Sequence, residues 1–140
     1  MSTSFQVVID CADPHQLAEF WAAAVGYEIE HNDDQIRSLL AAGIAHDDDV
    51  MEWKGRMVWK TATAANDPGG TGPRLLFQLV PEAKTVKNRV HLDLRVGEER
   101  HEAEAERLVA LGATRLWDGS EGPYTWITMA DPEGNEFCVA

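Results

Sequence analysis

The stretch FQVVIDCADPHQLAEFWAAAVGY, residues 5–27, contains a strand, a helix start and a helix end in close succession. Residues Phe5–Cys11 are rich in β-branched and apolar side chains, which is typical of a β-strand. Asp13 and Pro14 then provide a helix N-cap and a proline at the first helical position. The predicted helix has one apolar face and ends at Gly26. That face consists of Leu17, Phe20, Trp21, Ala24 and Val25.

The same order of elements returns later in the chain. Arg89–Val96 predicts a strand, Glu98–Leu111 predicts a helix that ends at Gly112, and Ala113–Trp117 predicts the next strand. Gln6 precedes Gly26 by 20 residues, and His91 precedes Gly112 by 21 residues. The two spacings are nearly equal, so the sequence predicts an internal repeat.

The remaining strands also occur twice. Tyr27–Glu30 predicts the second strand of the first copy, and an Asp-Pro turn in each copy lies between two further predicted strands. Those strands are Arg56–Ala64 and Arg74–Val80 in the first copy, and Tyr124–Ala130 and Asn135–Val139 in the second. Each copy is therefore β-α-β-β-β, and the predicted fold class is α+β. We expect one domain over 1–140, with repeat one about 4–80, a linker at 81–88 and repeat two about 89–140. Residues 33–50 give no clear pattern.

Composition excludes several classes of function. The chain has 140 residues and a net charge of −12, so phosphate backbones and anionic lipids should repel it. No apolar run is long enough to span a membrane, and the first residues lack the pattern of a secretory signal, so we expect a cytoplasmic protein. The two cysteines have no zinc-site spacing. The acidic balance is explained either by solubility or by attraction of a cationic ligand.

A paired βαβββ repeat of this length resembles the vicinal-oxygen-chelate (VOC) superfamily and its glyoxalase-like domain subfamily. Glyoxalase I, extradiol dioxygenases, fosfomycin-resistance enzymes and bleomycin resistance proteins belong to this superfamily. The resemblance covers nearly the whole chain and includes the segments VVIDCADPHQLAEFWAAAVGY and MADPEGNEFCVA. It implies two curved mixed sheets that form a half-barrel cleft between the repeats, a small-molecule ligand in that cleft, and a homodimer.

The resemblance also implies four metal-ligating positions, on the first and last strands of each repeat. Carried over, these positions are Gln6, Gln78, His91 and Cys138. Enzymes of the superfamily usually have Glu or His where this chain has Gln78, and Glu where it has Cys138. Without a carboxylate the set would hold magnesium or manganese weakly. Zinc tolerates His and Cys, but two neutral amides are poor partners for it.

Two functions remain open after this comparison. We expect no cofactor and predict a cleft that binds a small organic molecule without a strongly bound catalytic metal. The alternative is a lyase, isomerase or dioxygenase with a divalent metal, which would be zinc, nickel, iron or manganese. In a metal-free enzyme, His91 would be the catalytic acid or base, because the pKa of imidazole is near neutrality. Whether the chain is an enzyme stays undecided at this point.

Aromatic and charged residues complete the predicted cleft. Trp59 and Trp126 are rough counterparts in the two repeats, and we expect them in the cleft wall, where indoles suit flat or cationic ligands. Trp21 is expected in the core and Trp117 in packing. Asp93 follows His91 by two residues on one strand, so both point to the same face, although we favour a salt bridge of Asp93 with Arg95 or Lys87. The full predicted ligand cleft is Gln6, Trp59, Gln78, His91, Asp93, Trp126 and Cys138.

Overall fold

A computed structural model describes residues 1–140. The first half contains two helices and six strands, which are β1 (Val7–Cys11), α1 (Pro14–Val25), β2 (Glu28–Ile29), α2 (Asp33–Ala41), β3 (Val50–Trp53), β4 (Arg56–Trp59), β5 (Ala62–Asn66) and β6 (Leu75–Leu79). The second half contains β7 (Asp93–Leu94), α3 (His101–Leu111), β8 (Thr114–Glu121), β9 (Tyr124–Ala130) and β10 (Glu136–Val139). Short 3₁₀ turns at Asp47–Asp49 and Glu98–Arg100 precede β3 and α3.

The two halves have the same sheet topology. The strand order is β1-β6-β5-β2 in one sheet and β7-β10-β9-β8 in the other. In each sheet the first and last strands of the half pair in parallel, and the remaining pairs are antiparallel. The predicted α+β class with two curved mixed sheets is therefore confirmed, and neither sheet closes into a barrel.

Helix α1 begins and ends where the sequence predicts. The Asp13 carboxylate accepts a hydrogen bond of 3.1 Å from the backbone N–H of Gln16 and so caps the first turn. Gly26 ends the helix with a φ of +74°, a left-handed conformation that favours glycine. The equivalent helix α3 starts later than predicted, because the chain first makes a 3₁₀ turn at Glu98–Arg100.

The strand prediction over Arg56–Ala64 is wrong. This stretch is divided into β4 and β5, and β4 pairs only with β3 in a separate hairpin. The break lies at Lys60 and Thr61, whose backbone groups bond to Asp49 and Leu79 respectively. Helix α2 and the β3–β4 hairpin are therefore an insertion that the second half lacks.

Two further strand predictions need their lengths corrected. Only Asp93–Leu94 of the predicted strand Arg89–Val96 forms β7, although the Leu92 carbonyl still accepts a bond from the backbone N–H of Cys138. Strand β8 runs beyond the predicted Ala113–Trp117 as far as Glu121, because it pairs with β9 along its whole length.

The two halves share one hydrophobic core. Phe20 and Trp21 of α1 pack against Phe137 of β10, with ring centroids 6.2 and 5.0 Å apart. Trp21 is 2% exposed, so its predicted core position is confirmed. Its indole N–H donates to the buried Asp131 carboxylate at 3.0 Å, and Glu133 accepts from the backbone at the start of α1. No helix of the chain has both the length and the apolar character needed to cross a membrane.

Candidate functional site

One face of the second sheet gathers most of the polar and aromatic residues of interest. Cys138 of β10 lies between Asp93 of β7 and Thr128 of β9, and directly paired residues point to the same side of a sheet. Trp126 lies two residues from Thr128 and therefore shares its face. The sheet thus carries a thiol, a carboxylate, a hydroxyl and an indole on one surface.

These side chains line a single open cavity of about 320 Å³ in the second half, which we call the tryptophan cleft. Its lining consists of Lys87, His91, Asp93, Trp117, Trp126, Thr128, Glu136, Cys138 and Ala140. Four residues predicted for the ligand cleft, namely His91, Asp93, Trp126 and Cys138, are therefore brought together. Trp117, Thr128, Lys87 and Glu136 are additional lining residues.

Trp117 reaches this cavity because of a β-bulge. The pairing of β8 with β9 passes from Arg115–Met129 to Trp117–Thr128, so Leu116 is an extra residue. In a regular ladder Leu116 would pair with Thr128 and Trp117 with Ile127, which is buried in the core. The expected packing role of Trp117 is thus wrong. Trp117 is 49% exposed and lines the cleft.

His91, Asp93 and Cys138 form the polar centre of the tryptophan cleft. His91 Nδ1 and Asp93 Oδ1 are 3.1 Å apart, and one potential ligand atom from each of the three residues lies within 4.8 Å of the others. The hydrogen bond at Nδ1 fixes the imidazole and leaves Nε2 free to accept or donate a proton. Burial raises the pKa of the Cys138 thiol, and Asp93 adds to this effect, so the resting thiol is protonated.

Gln6 and Gln78 lie outside the tryptophan cleft. The Gln6 Oε1 atom accepts a 3.0 Å hydrogen bond from the Arg74 guanidinium, which also makes a bidentate ion pair with Glu30. The oxygen that would ligate a metal is thus directed at a fixed positive charge. Gln78 is exposed on β6 between Asp10 and Ala62, on the other sheet.

Trp59 also lies away from the cleft, in the inserted hairpin. Its backbone carbonyl is 2.7 Å from His15 Nε2, and the residue lines a small cavity of about 40 Å³ together with Trp53 and His15. Because β4 belongs to the insertion, Trp59 has no counterpart in the second half. The strand equivalent to that of Trp126 is β5, not β4.

A wider groove of about 980 Å³ runs between the two halves, along β1 and the approach to β7. His91 and Glu136 line both this groove and the tryptophan cleft, so the two spaces adjoin. Burial raises the pKa of the Glu136 carboxyl, but the backbone N–H of Asn88 and the Lys84 ammonium hold it below its ordinary value. Glu136 is therefore an ionised, paired group at the border between the two spaces.

Comparison with known proteins identifies the class of fold. The model of the family described as glyoxalase-like domain matches residues 6–140, and the chain belongs to this family. The family lies within the VOC superfamily, which also contains the structural neighbours of the chain. A search of curated protein sequences gave no match.

Three solved structures illustrate the likeness. Fosfomycin resistance protein FosX from Mesorhizobium loti has a TM-score of 0.64 at 10% identity, covering 99% of this chain and 90% of that one. A mutant of FosX from Listeria monocytogenes, complexed with Mn(II) and 1S,2S-dihydroxypropylphosphonic acid, has a TM-score of 0.66 at 11% identity, covering 99% and 91%. A glyoxalase/bleomycin resistance protein/dioxygenase family enzyme from Burkholderia phytofirmans has a TM-score of 0.60 at 18% identity, covering 96% and 94%. Identities this low establish the fold alone.

The donor set decides which metal ions fit. His91, Asp93 and Cys138 offer one nitrogen, one oxygen and one sulfur, a combination that suits zinc with an open fourth position. A hard ion such as Mn²⁺ prefers oxygen ligands, of which this set supplies one carboxylate. The raised pKa of the thiol also means that metal binding must displace a proton from Cys138.

Proposed function

We propose that this chain binds a small organic molecule directly in the tryptophan cleft, without a strongly bound catalytic metal. The observation that carries the proposal is that two indoles, an imidazole and a carboxylate line one cavity. Binding pockets for small molecules commonly combine apolar walls with a few polar groups that fix the ligand's orientation. Gln6 and Gln78 lie outside the cleft, which leaves His91, Asp93 and Cys138 as the donors that lie close together there.

Each group in the cleft has a distinct role in this proposal. Trp117 and Trp126 supply the apolar contact area and exclude water. Thr128 and Asp93 offer hydrogen bonds to the ligand, and His91 accepts or donates one through Nε2 while Asp93 holds Nδ1. If the bound molecule reacts, His91 is the group that we expect to transfer a proton, because it lines the cavity and its Nε2 atom has no hydrogen-bond partner in the protein.

A thermal-shift screen of a diverse small-molecule library tests the proposal. A true ligand at one hundred times its Kd should stabilise the protein by about 2.7 kcal/mol. His91→Ala and Trp126→Ala should abolish the shift while keeping the unliganded melting temperature within a few degrees. His46→Ala is the matched control, since His46 is exposed in the first half. Hits that shift both cleft variants as strongly as the wild type would refute the assignment of the cleft.

The second candidate is a metal-dependent lyase, isomerase or dioxygenase. The proximity of His91, Asp93 and Cys138 favours it, and a bound ion would act as a Lewis acid on a substrate oxygen. Calorimetric titration of the purified protein with zinc, nickel, iron(II) and manganese separates the two functions. One equivalent of tightly bound ion that is lost in His91→Ala, but kept in His46→Ala, would replace the metal-free proposal.

A further inference from the structure

Trp117 and Trp126 are held apart on one surface without stacking on each other. They are diagonal neighbours, because Trp117 pairs with Thr128 and Trp126 pairs with Gly119. Diagonal positions on paired strands are separated by about 7–8 Å. A flat ring in contact with an indole on each side needs about 7 Å, twice the usual carbon–carbon contact distance of about 3.5 Å. The aromatic pairs of the molecule lie elsewhere, in the core and beside His15.

Gly119 fixes where the Trp126 ring lies. A Cβ atom built on Gly119 would lie less than 3.0 Å from Cε2, Nε1 and Cζ2 of Trp126, a separation that real Cβ atoms essentially never show. The indole therefore lies against the neighbouring strand, in space that the side chain of any other residue would fill. An aromatic side chain that covers a glycine in this way also stabilises an edge strand such as β8.

Two irregular features of β8 thus serve the same cavity. The bulge at Leu116 places Trp117 on the cleft side of the sheet, and Gly119 leaves room for the Trp126 indole against β8. Bulges and glycines weaken a strand, so the presence of both in β8, on either side of Trp117, needs a reason besides strand stability. A pair of indole faces that is available to a ligand provides that reason.

We propose that the tryptophan cleft selects planar conjugated ring systems, which stack on the indoles of Trp117 and Trp126, and that Gly119 is the specificity-determining residue that positions Trp126. This inference rests on the proposed function and adds the ligand class to it. Stacking depends on the flat face of the ligand, so a saturated ring of similar size and the same charge should bind more weakly.

Two matched pairs of probes test the ligand class. The first pair is 2-naphthylmethylamine and its fully saturated decalin analogue, and the second is 2-naphthoate and decalin-2-carboxylate. Binding is followed by NMR through the indole N–H signals, which single Trp→Leu variants assign. We expect the better-bound planar probe to exceed its saturated partner by about tenfold in affinity and to shift the signals of Trp117 and Trp126.

The variants identify which residues provide the selectivity. Trp117→Leu and Trp126→Leu should each reduce the planar preference to about twofold or less, whereas Trp59→Leu, outside the cleft, should leave it unchanged. Gly119→Ala should reduce the preference in the same way. Ser120→Ala, on the opposite face of β8, is its control.

A second measurement covers the case in which Gly119→Ala folds poorly. If the added methyl group destabilises the protein by overlapping the indole, then Trp126→Leu in the same chain should restore most of the lost melting temperature. Failure of this rescue would overturn the role of Gly119.

The outcomes separate this inference from the proposed function. Equal affinity for planar and saturated probes, with the cleft signals still shifting, would refute planar selectivity and leave a small-molecule cleft. A planar preference that survives both Trp117→Leu and Trp126→Leu would also refute it. If no probe of either kind shifts the signals of Trp117 or Trp126, both the inference and the cleft assignment fail.

Discussion

The Asp131 carboxylate joins the two halves of the chain, and its removal should cost much of the stability. Asp131 is 3% exposed and accepts hydrogen bonds from the Trp21 indole N–H at 3.0 Å and from the backbone N–H groups of Glu133 and Asn135. The Asn135 side-chain amide donates to both of its oxygens. Asp131→Ala removes every one of these acceptors at once.

The structure gives the size of the expected loss. A hydrogen bond to a charged group contributes about 1.5–3 kcal/mol, and a buried donor left unpaired costs about 1–3 kcal/mol. The Trp21 N–H would be such a donor, since Trp21 is 2% exposed, whereas water can reach the backbone groups of the turn. We expect a total of about 3–5 kcal/mol, which is a large part of the roughly 5–15 kcal/mol typical of a domain.

Thermal and denaturant unfolding measure this change. The melting temperature of Asp131→Ala should fall by about 10–15 °C. Asp67→Ala is the matched control, because Asp67 occupies the corresponding Asp-Pro turn of the first half but caps only its own turn. Its loss should be clearly smaller. Combining Asp131→Ala with Trp21→Phe completes a double-mutant cycle, which should give a coupling energy of about 1–3 kcal/mol.

Either of two results would contradict this account of Asp131. One is a melting temperature for Asp131→Ala that equals that of Asp67→Ala. The other is a double-mutant cycle in which the two substitutions are additive, since the Trp21 N–H would then gain nothing from the carboxylate.

Three further predictions concern other parts of the molecule. The hydrogen bonds from Arg74 hold the pKa of the Glu30 carboxyl below its ordinary value, so their stabilisation is present above pH 4.5 and is lost as the pH falls through the folded-state pKa. The difference in melting temperature between wild type and Arg74→Gln should therefore be largest near pH 7 and disappear in acid; a constant difference would exclude this linkage. Burial raises the pKa of Cys11 to about 12 and also raises that of Cys138, so iodoacetamide at pH 7.4 should label both thiols far more slowly in native than in unfolded protein, with Cys138 first because it faces the cleft. Labelling of Cys11 at the rate of a free thiol would show that the first sheet opens readily. Finally, we expect a homodimer, and sedimentation at micromolar concentration checks this expectation, with a monomeric mass counting against it.

Much of the fold could be predicted from the sequence, because the residues that begin and end its elements act locally. Asp13, Pro14 and Gly26 mark the ends of α1 through backbone conformation and hydrogen bonding, and these signals depend on few neighbours. The nearly equal spacing within the two copies then indicated the topology. The β3–β4 hairpin was missed because Arg56–Ala64 is continuous in β-propensity. Its break at Lys60 arises from pairing with distant residues.

The residues of the cleft could be predicted only in part, for a related reason. Side chains alternate along a strand, so the shared face of Asp93, Thr128 and Cys138 follows once the strand register is known. Trp117 could not be placed in this way, because the extra residue Leu116 reverses the alternation and no local signal marks it. Gln6 was misleading for another reason. Its position matches the family, but the Arg74 side chain that engages its oxygen lies 68 residues away.

The bulge in β8 has a consequence for how this cleft can change in evolution. Loss of the single codon for Asp118 would restore regular pairing, because Leu116 would then pair with Thr128 and Trp117 with Ile127. This loss would turn Trp117 from the cavity to the core side of the sheet, while every other residue kept its identity. Gain of a codon would have created the present arrangement in the same single step. Among related genes, the aromatic character of this wall should therefore vary with the length of the segment between α3 and β9. A comparison that counts substitutions alone would overlook such a change.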